Sequence, residues 1–127
     1  MVTGVQTCAL PICLAEMTEG NIYDAVEQYS RQGKLGYVHF RNIRDKAPHY
    51  KETFVDDGDI DMAEIVRILR DENYDGVMIP DHTPEMSCDA PWHAGKAFAL
   101  GYMRALVQNA AALGSSRTAL STIQRQA

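Results

Sequence analysis

Leu35-Gly-Tyr-Val-His39-Phe-Arg41-Asn42 and Gly76-Val-Met-Ile-Pro-Asp81-His82 are the two stretches that decide the fold. Each begins as a short apolar run and ends in polar side chains, the pattern of a buried parallel strand whose carboxyl end opens onto a site. The first strand is expected over Leu35 to Ile43, and alternation puts Tyr37, His39 and Arg41 on one face, Val38 and Phe40 on the other. The second is expected from Gly76 to Pro80.

Before the first strand, Ile22, Ala25, Val26 and Tyr29 recur at helical spacing, with Asn21 as N-cap and Gly33 past the end, so a helix is expected to about Gln32. Arg44 to Asp59 is polar, interrupted by Pro48 and Gly58, and reads as a long loop. Asp61-Met-Ala-Glu64 resembles a capping box, and Met62, Ile65, Val66 and Leu69 carry a second helical stripe to about Glu72. A third helix is expected from about His93 to Asn109, with Ala99, Tyr102, Met103 and Leu106 on its apolar side. Residues 110–127 read as a weakly helical or disordered tail. Helix, strand, helix, strand, helix, with connections too long for hairpins, predicts an α/β fold with parallel strands. Two such strands leave their edges unpaired, so residues 14–109 read as part of a larger sheet or barrel.

Composition narrows the function. Twelve basic and seventeen acidic residues among 127 give a formal charge of −5, without a basic cluster, which argues against nucleic acid as a partner. Neither a membrane span nor a signal peptide is visible, so no membrane partner and a cytoplasmic location are expected. Cys8, Cys13 and Cys88 form no CxxC pair and read as free thiols. Residues 2–12, VTGVQTCALPI, lack periodicity and resemble a translated sequencing adapter, so residues 1–13 are expected to be an artefactual or disordered start.

Parallel strands end on one rim, so His39 and Asp81 are expected to come within reach of one ion. A nitrogen and oxygen donor pair suits Mn²⁺ or Fe²⁺ better than Ca²⁺. His82 is then a candidate proton carrier, because imidazole both takes and gives a proton near neutrality. The plainer alternative for each histidine is an ordinary hydrogen-bonded residue. Asp56-Asp57-Gly58-Asp59 has its glycine at the wrong offset for a calcium loop and reads as a solvated turn before a helix. Cys88 reads as inert, while Trp92 and His93 either line a rim or pack a helix start.

VHFRNIR at Val38 to Arg44, FVDDGDIDM at Phe54 to Met62 and IPDH at Ile79 to His82 together resemble mannonate dehydratase, over about Glu16 to Val107. The resemblance implies a C-terminal fragment of a TIM (β/α)₈ barrel, a fold of about 250 residues when whole. It also implies a hydro-lyase converting D-mannonate to 2-keto-3-deoxy-D-gluconate in hexuronate catabolism, dependent on Mn²⁺ (or Fe²⁺), from a homo-oligomeric parent. By motif, His39 and Asp81 match metal-binding residues and His82 an acid/base histidine. Arg41, on the face of His39, is assigned to the substrate carboxylate, which suits its bidentate geometry. Two departures stand out: the family's further histidine and cysteine ligands have no counterpart here, and its tyrosine between the PDH motif and the last helix is not matched by Trp92 or His93. The fragment alone is therefore expected to be inactive. Two other readings are a related barrel sugar isomerase or epimerase and a non-catalytic small α/β binding domain.

Overall fold

The computed structural model describes residues 20–124, with side chains to residue 112. The expectations for residues 1–13, including Cys8 and Cys13, lie outside the described residues.

Seven elements follow in order: α1 (Ile22–Arg31), β1 (Tyr37–Phe40), β2 (Asn42–Arg44), β3 (Lys51–Thr53), α2 (Met62–Asp71), β4 (Val77–Pro80) and α3 (Pro91–Gln124). β1 and β4 pair in parallel, with Tyr37 opposite Val77 and Phe40 opposite Pro80, as the two apolar runs predict. β2 and β3 form an antiparallel pair that corrects the expected long loop between Arg44 and Asp59. The expected single strand from Leu35 to Ile43 is consequently split at Arg41: the chain leaves one ladder after Phe40 and enters the other at Asn42.

The caps explain where the helices start. The Asn21 side chain accepts from the Tyr23 amide, and the Asp61 carboxylate accepts from the Ala63 and Glu64 amides, satisfying donors that the first turn leaves unpaired. Gly33, at φ 63°, turns the chain out of α1 in a conformation that costs glycine little. α3 begins at Pro91 rather than His93, because proline at the first helical position gives up no hydrogen bond. It also continues past Asn109 to Gln124, an extension that opens on Ala110-Ala-Ala-Leu113, all good helix formers.

The helices cover one face of the β1–β4 ribbon. Val38 and Phe40 are sealed there with Val26, Met62, Ile65, Val66 and Leu69, which is the stripe predicted for α1 and α2. α3 joins through Ala99 and Met103, and the Arg70 Nη1 donates to the Ala110 carbonyl at 2.7 Å, tying α2 to α3. Tyr102 lies half-buried against this core and stacks on Phe98, which fits its expected packing role. The opposite ribbon face is open, with Val77 60% and Tyr37 38% exposed.

Candidate active site

The open ribbon face carries two of the candidate residues, His39 and Asp81. His39 stands opposite Ile79 in the parallel register, and Asp81 follows two residues later, so alternation returns its side chain to the face of Ile79 and His39. The consequence is a close approach: His39 Nδ1 lies 3.6 Å from Asp81 Oδ2. Tyr37 packs beside His39, ring centres 5.1 Å apart, and limits where the imidazole can turn.

Arg41 occupies the junction between β1 and β2 and is buried despite its charge. Its Nε lies 3.5 Å from the same Asp81 oxygen, while its Nη1 donates to Glu52 Oε1. His82, just beyond β4, is the exposed member. Its Nδ1 lies 3.4 Å from Glu52 Oε2 and its Nε2 3.6 Å from Asp81 Oδ1. The structure thus brings together all four residues singled out from the sequence, His39, Arg41, Asp81 and His82, and adds Glu52. For Arg41, the expected hold on a substrate carboxylate meets a guanidinium already engaged by two protein carboxylates.

Glu52 reaches the site because β2 and β3 fold back on each other. Asn42 anchors that hairpin: its amide nitrogen donates to the Val55 and Ile60 carbonyls at 3.1 and 2.8 Å, and its Oδ1 accepts from the Ile43 and Ile60 amides. Gly58 is forced by this arrangement, since a β-carbon there would overlap the Asn42 amide and the Ile43 carbonyl. The Asp59 amide donates to that carbonyl at 2.8 Å, and its carboxylate accepts from the Asp45 amide. The acidic turn, expected as a solvated turn, is thus tied to the hairpin through Gly58 and Asp59. Sequence reasoning missed Glu52 because Lys51-Glu-Thr has no apolar alternation. The available signal was Asn42, a polar residue between Phe40 and Ile43 that required buried partners.

The donor set of His39 and Asp81 suits a divalent transition metal, since imidazole nitrogen and carboxylate oxygen from adjacent strands face a common space. The fit is partial. Among the described residues no group of three or more His, Cys, Asp and Glu is arranged to hold a metal ion. Cys88 is exposed and free, and Trp92 and His93 are exposed at the start of α3.

Comparison with known proteins agrees in direction. A mannonate dehydratase from Lactococcus lactis subsp. cremoris is 28% identical over 86 residues, covering 58% of this chain and 23% of that protein. One from Enterococcus faecalis is 40% identical over 52 residues, covering 39% of this chain and 15% of that protein. The chain thus spans about a quarter or less of the curated relatives it matches. The crystal structure of mannonate dehydratase from Streptococcus suis serotype 2 superposes with a TM-score of 0.68 at 21% identity, over 79% of this chain and 31% of that one. That likeness bears out the α/β fold with parallel strands and is consistent with part of a larger fold. The model of the family described as D-mannonate dehydratase (UxuA) matches residues 2–116, nearly the whole sequence, and the chain belongs to that family.

Proposed function

We propose that this chain supplies the His39, Asp81 and His82 portion of an enzyme that dehydrates D-mannonate to 2-keto-3-deoxy-D-gluconate. The observation that carries the reaction is the family match across residues 2–116. The convergence of His39 and Asp81 supports a site at the ends of β1 and β4.

The reaction breaks the C2–H bond beside the carboxylate, expels the C3 hydroxyl as water and leaves an enol that becomes the 2-keto product. His39 and Asp81 would hold Mn²⁺ or Fe²⁺, which supplies Lewis-acid stabilisation of the negative charge growing next to the carboxylate. Further ligands must come from residues beyond these two, because such ions take at least four. His82 has the chemistry and exposure to exchange protons with substrate: it takes one from carbon or gives one to the departing hydroxyl. Arg41, buried beside Asp81, adds fixed positive charge to a site for an acidic sugar. The pathway is hexuronate catabolism and the setting cytoplasmic. Among the described residues no helix is long and apolar enough to cross a membrane.

The test is direct. The chain, extended by the upstream coding region of its gene and supplied with Mn²⁺, is assayed for conversion of D-mannonate into the 2-keto acid. Turnover supports the reading; a folded, metal-loaded protein that leaves mannonate intact contradicts it.

A further inference from the structure

Four charged or ionisable side chains close into a ring. Asp81 Oδ2 lies 3.5 Å from Arg41 Nε, and Arg41 Nη1 is bonded to Glu52 Oε1. Glu52 Oε2 lies 3.4 Å from His82 Nδ1, and His82 Nε2 returns to Asp81 Oδ1 at 3.6 Å. Each carboxylate uses both of its oxygens within the ring. The members come from three places: the β1–β2 junction, the β3 strand and the segment after β4.

The ring answers a question that the strands leave open. His82 lies beyond β4 in a segment without regular structure, and its side chain is 61% exposed, so little packing restrains the ring. Asp81 is its chain neighbour and shares the Arg41 guanidinium. Glu52 comes from a different element: it is fixed to the hairpin through the β2–β3 ladder and to the buried Arg41, whose side chain is only 8% exposed. The hairpin in turn is clasped by Asn42. A path of buried or paired groups therefore runs from the core to the exposed imidazole, and its last link is the Glu52 carboxylate.

We propose that Glu52 is a positioning residue, which, through its clamp on Arg41 and His82, fixes the direction of the His82 imidazole relative to Asp81. The proposal rests on the reading of His82 as the proton carrier, since only then does the direction of its ring set the rate. Glu52 itself touches neither substrate nor metal in this account. Its carboxylate restrains one ring nitrogen, so the other is presented from a constant position. Preorganising an acid/base group in this way lowers the barrier without tightening substrate binding, which places the effect in turnover. Groups that orient functional side chains are worth about 10–100-fold when removed.

The experiment uses the isosteric Glu52→Gln, which keeps shape and removes charge, and Glu52→Asp, which keeps charge and shortens reach. In the gene-complete protein with Mn²⁺, Glu52→Gln is expected to lower kcat for D-mannonate about 10–100-fold with KM and bound metal unchanged, and Glu52→Asp to recover part of that loss. A second readout does not depend on turnover. With ¹³C-labelled histidine, the His82 ring signal, identified by its disappearance in His82→Gln, is expected to move toward the position of a freely rotating histidine in Glu52→Gln. An unchanged ring signal, or a kcat equal to wild type, overturns the proposal. Should the wild-type protein fail to dehydrate mannonate while the ring signal still responds to Glu52→Gln, the clamp stands and the assigned reaction falls.

Discussion

The two faces of the β1–β4 ribbon are built from alternate residues of the same strands, yet one is sealed and the other open. Val38 and Phe40 are 0% and 1% exposed, whereas Tyr37, Val77 and Ile79 lie between 37% and 60%. Polarity does not account for the difference, because Val77 and Ile79 are as apolar as Val38. What differs is cover: the core shared with α1, α2 and α3 lies on one face, while the other leaves Tyr37, Val77 and Ile79 exposed. The open face is also the one that holds His39 and Asp81. Core packing and the candidate site are thus divided between the sides of a single ribbon, as in parallel α/β folds whose strands pack on helices and end in a site.

The largest effect that tests this division is core truncation. Phe40→Ala should destabilise the chain by about 3–5 kcal/mol, since it removes a fully buried ring from a closed core. Ile79→Ala, on the open face, should cost less than about 1 kcal/mol. Urea unfolding of the two variants measures both, and comparable losses would show that the open face is covered as tightly as the other.

A smaller effect belongs to Asn42, which carries polarity into the sealed side. Asn42→Ala strips partners from the Val55 and Ile60 carbonyls and from the Ile43 and Ile60 amides, and should cost about 1–3 kcal/mol. Hydrogen exchange at the Ile60 amide should accelerate with it. If exchange stays slow, the hairpin is held by something other than this clasp.

The smallest effect concerns the margin of the sealed side. Burial pushes the Tyr74 hydroxyl above its ordinary value of 10.0, with Asp75 adding to the shift, and burial does the same for Tyr102, with Asp56 and Asp61 adding. The folded state therefore keeps these protons longer than the unfolded chain. Their contribution is fully present below pH 10 and is lost as pH rises above it. Stability measured from pH 9 to 11 should fall, and Tyr74→Phe with Tyr102→Phe should flatten that slope.

Much of this architecture was legible in the residues. The stripes of α1 and α2, their caps at Asn21 and Asp61, and the parallel pairing of β1 with β4 follow from spacing alone, because burial imposes a period that the sequence must repeat. The β2–β3 hairpin was not legible. Its strands are three residues each, and Lys51-Glu-Thr is held by backbone pairing with β2 and by the Arg41 bond to Glu52 rather than by an apolar face. The candidate site followed the same boundary: His39, Arg41, Asp81 and His82 sit at or near the ends of periodic strands and were found, while Glu52 sits on the unperiodic hairpin and was not. Arg41 shows a further limit. Its face was readable, but its engagement with Glu52 and Asp81 depends on a partner that only the folded hairpin provides.

Asp81 and His82 are consecutive, yet the account gives them separate tasks, one holding metal and the other moving protons. Bound metal and D-mannonate turnover, measured together in the gene-complete protein, separate those tasks for Asp81→Asn and His82→Gln. Asp81→Asn is expected to lose both metal and turnover, whereas His82→Gln is expected to keep the metal and lose turnover. An Asp81→Asn protein that retains both contradicts that assignment.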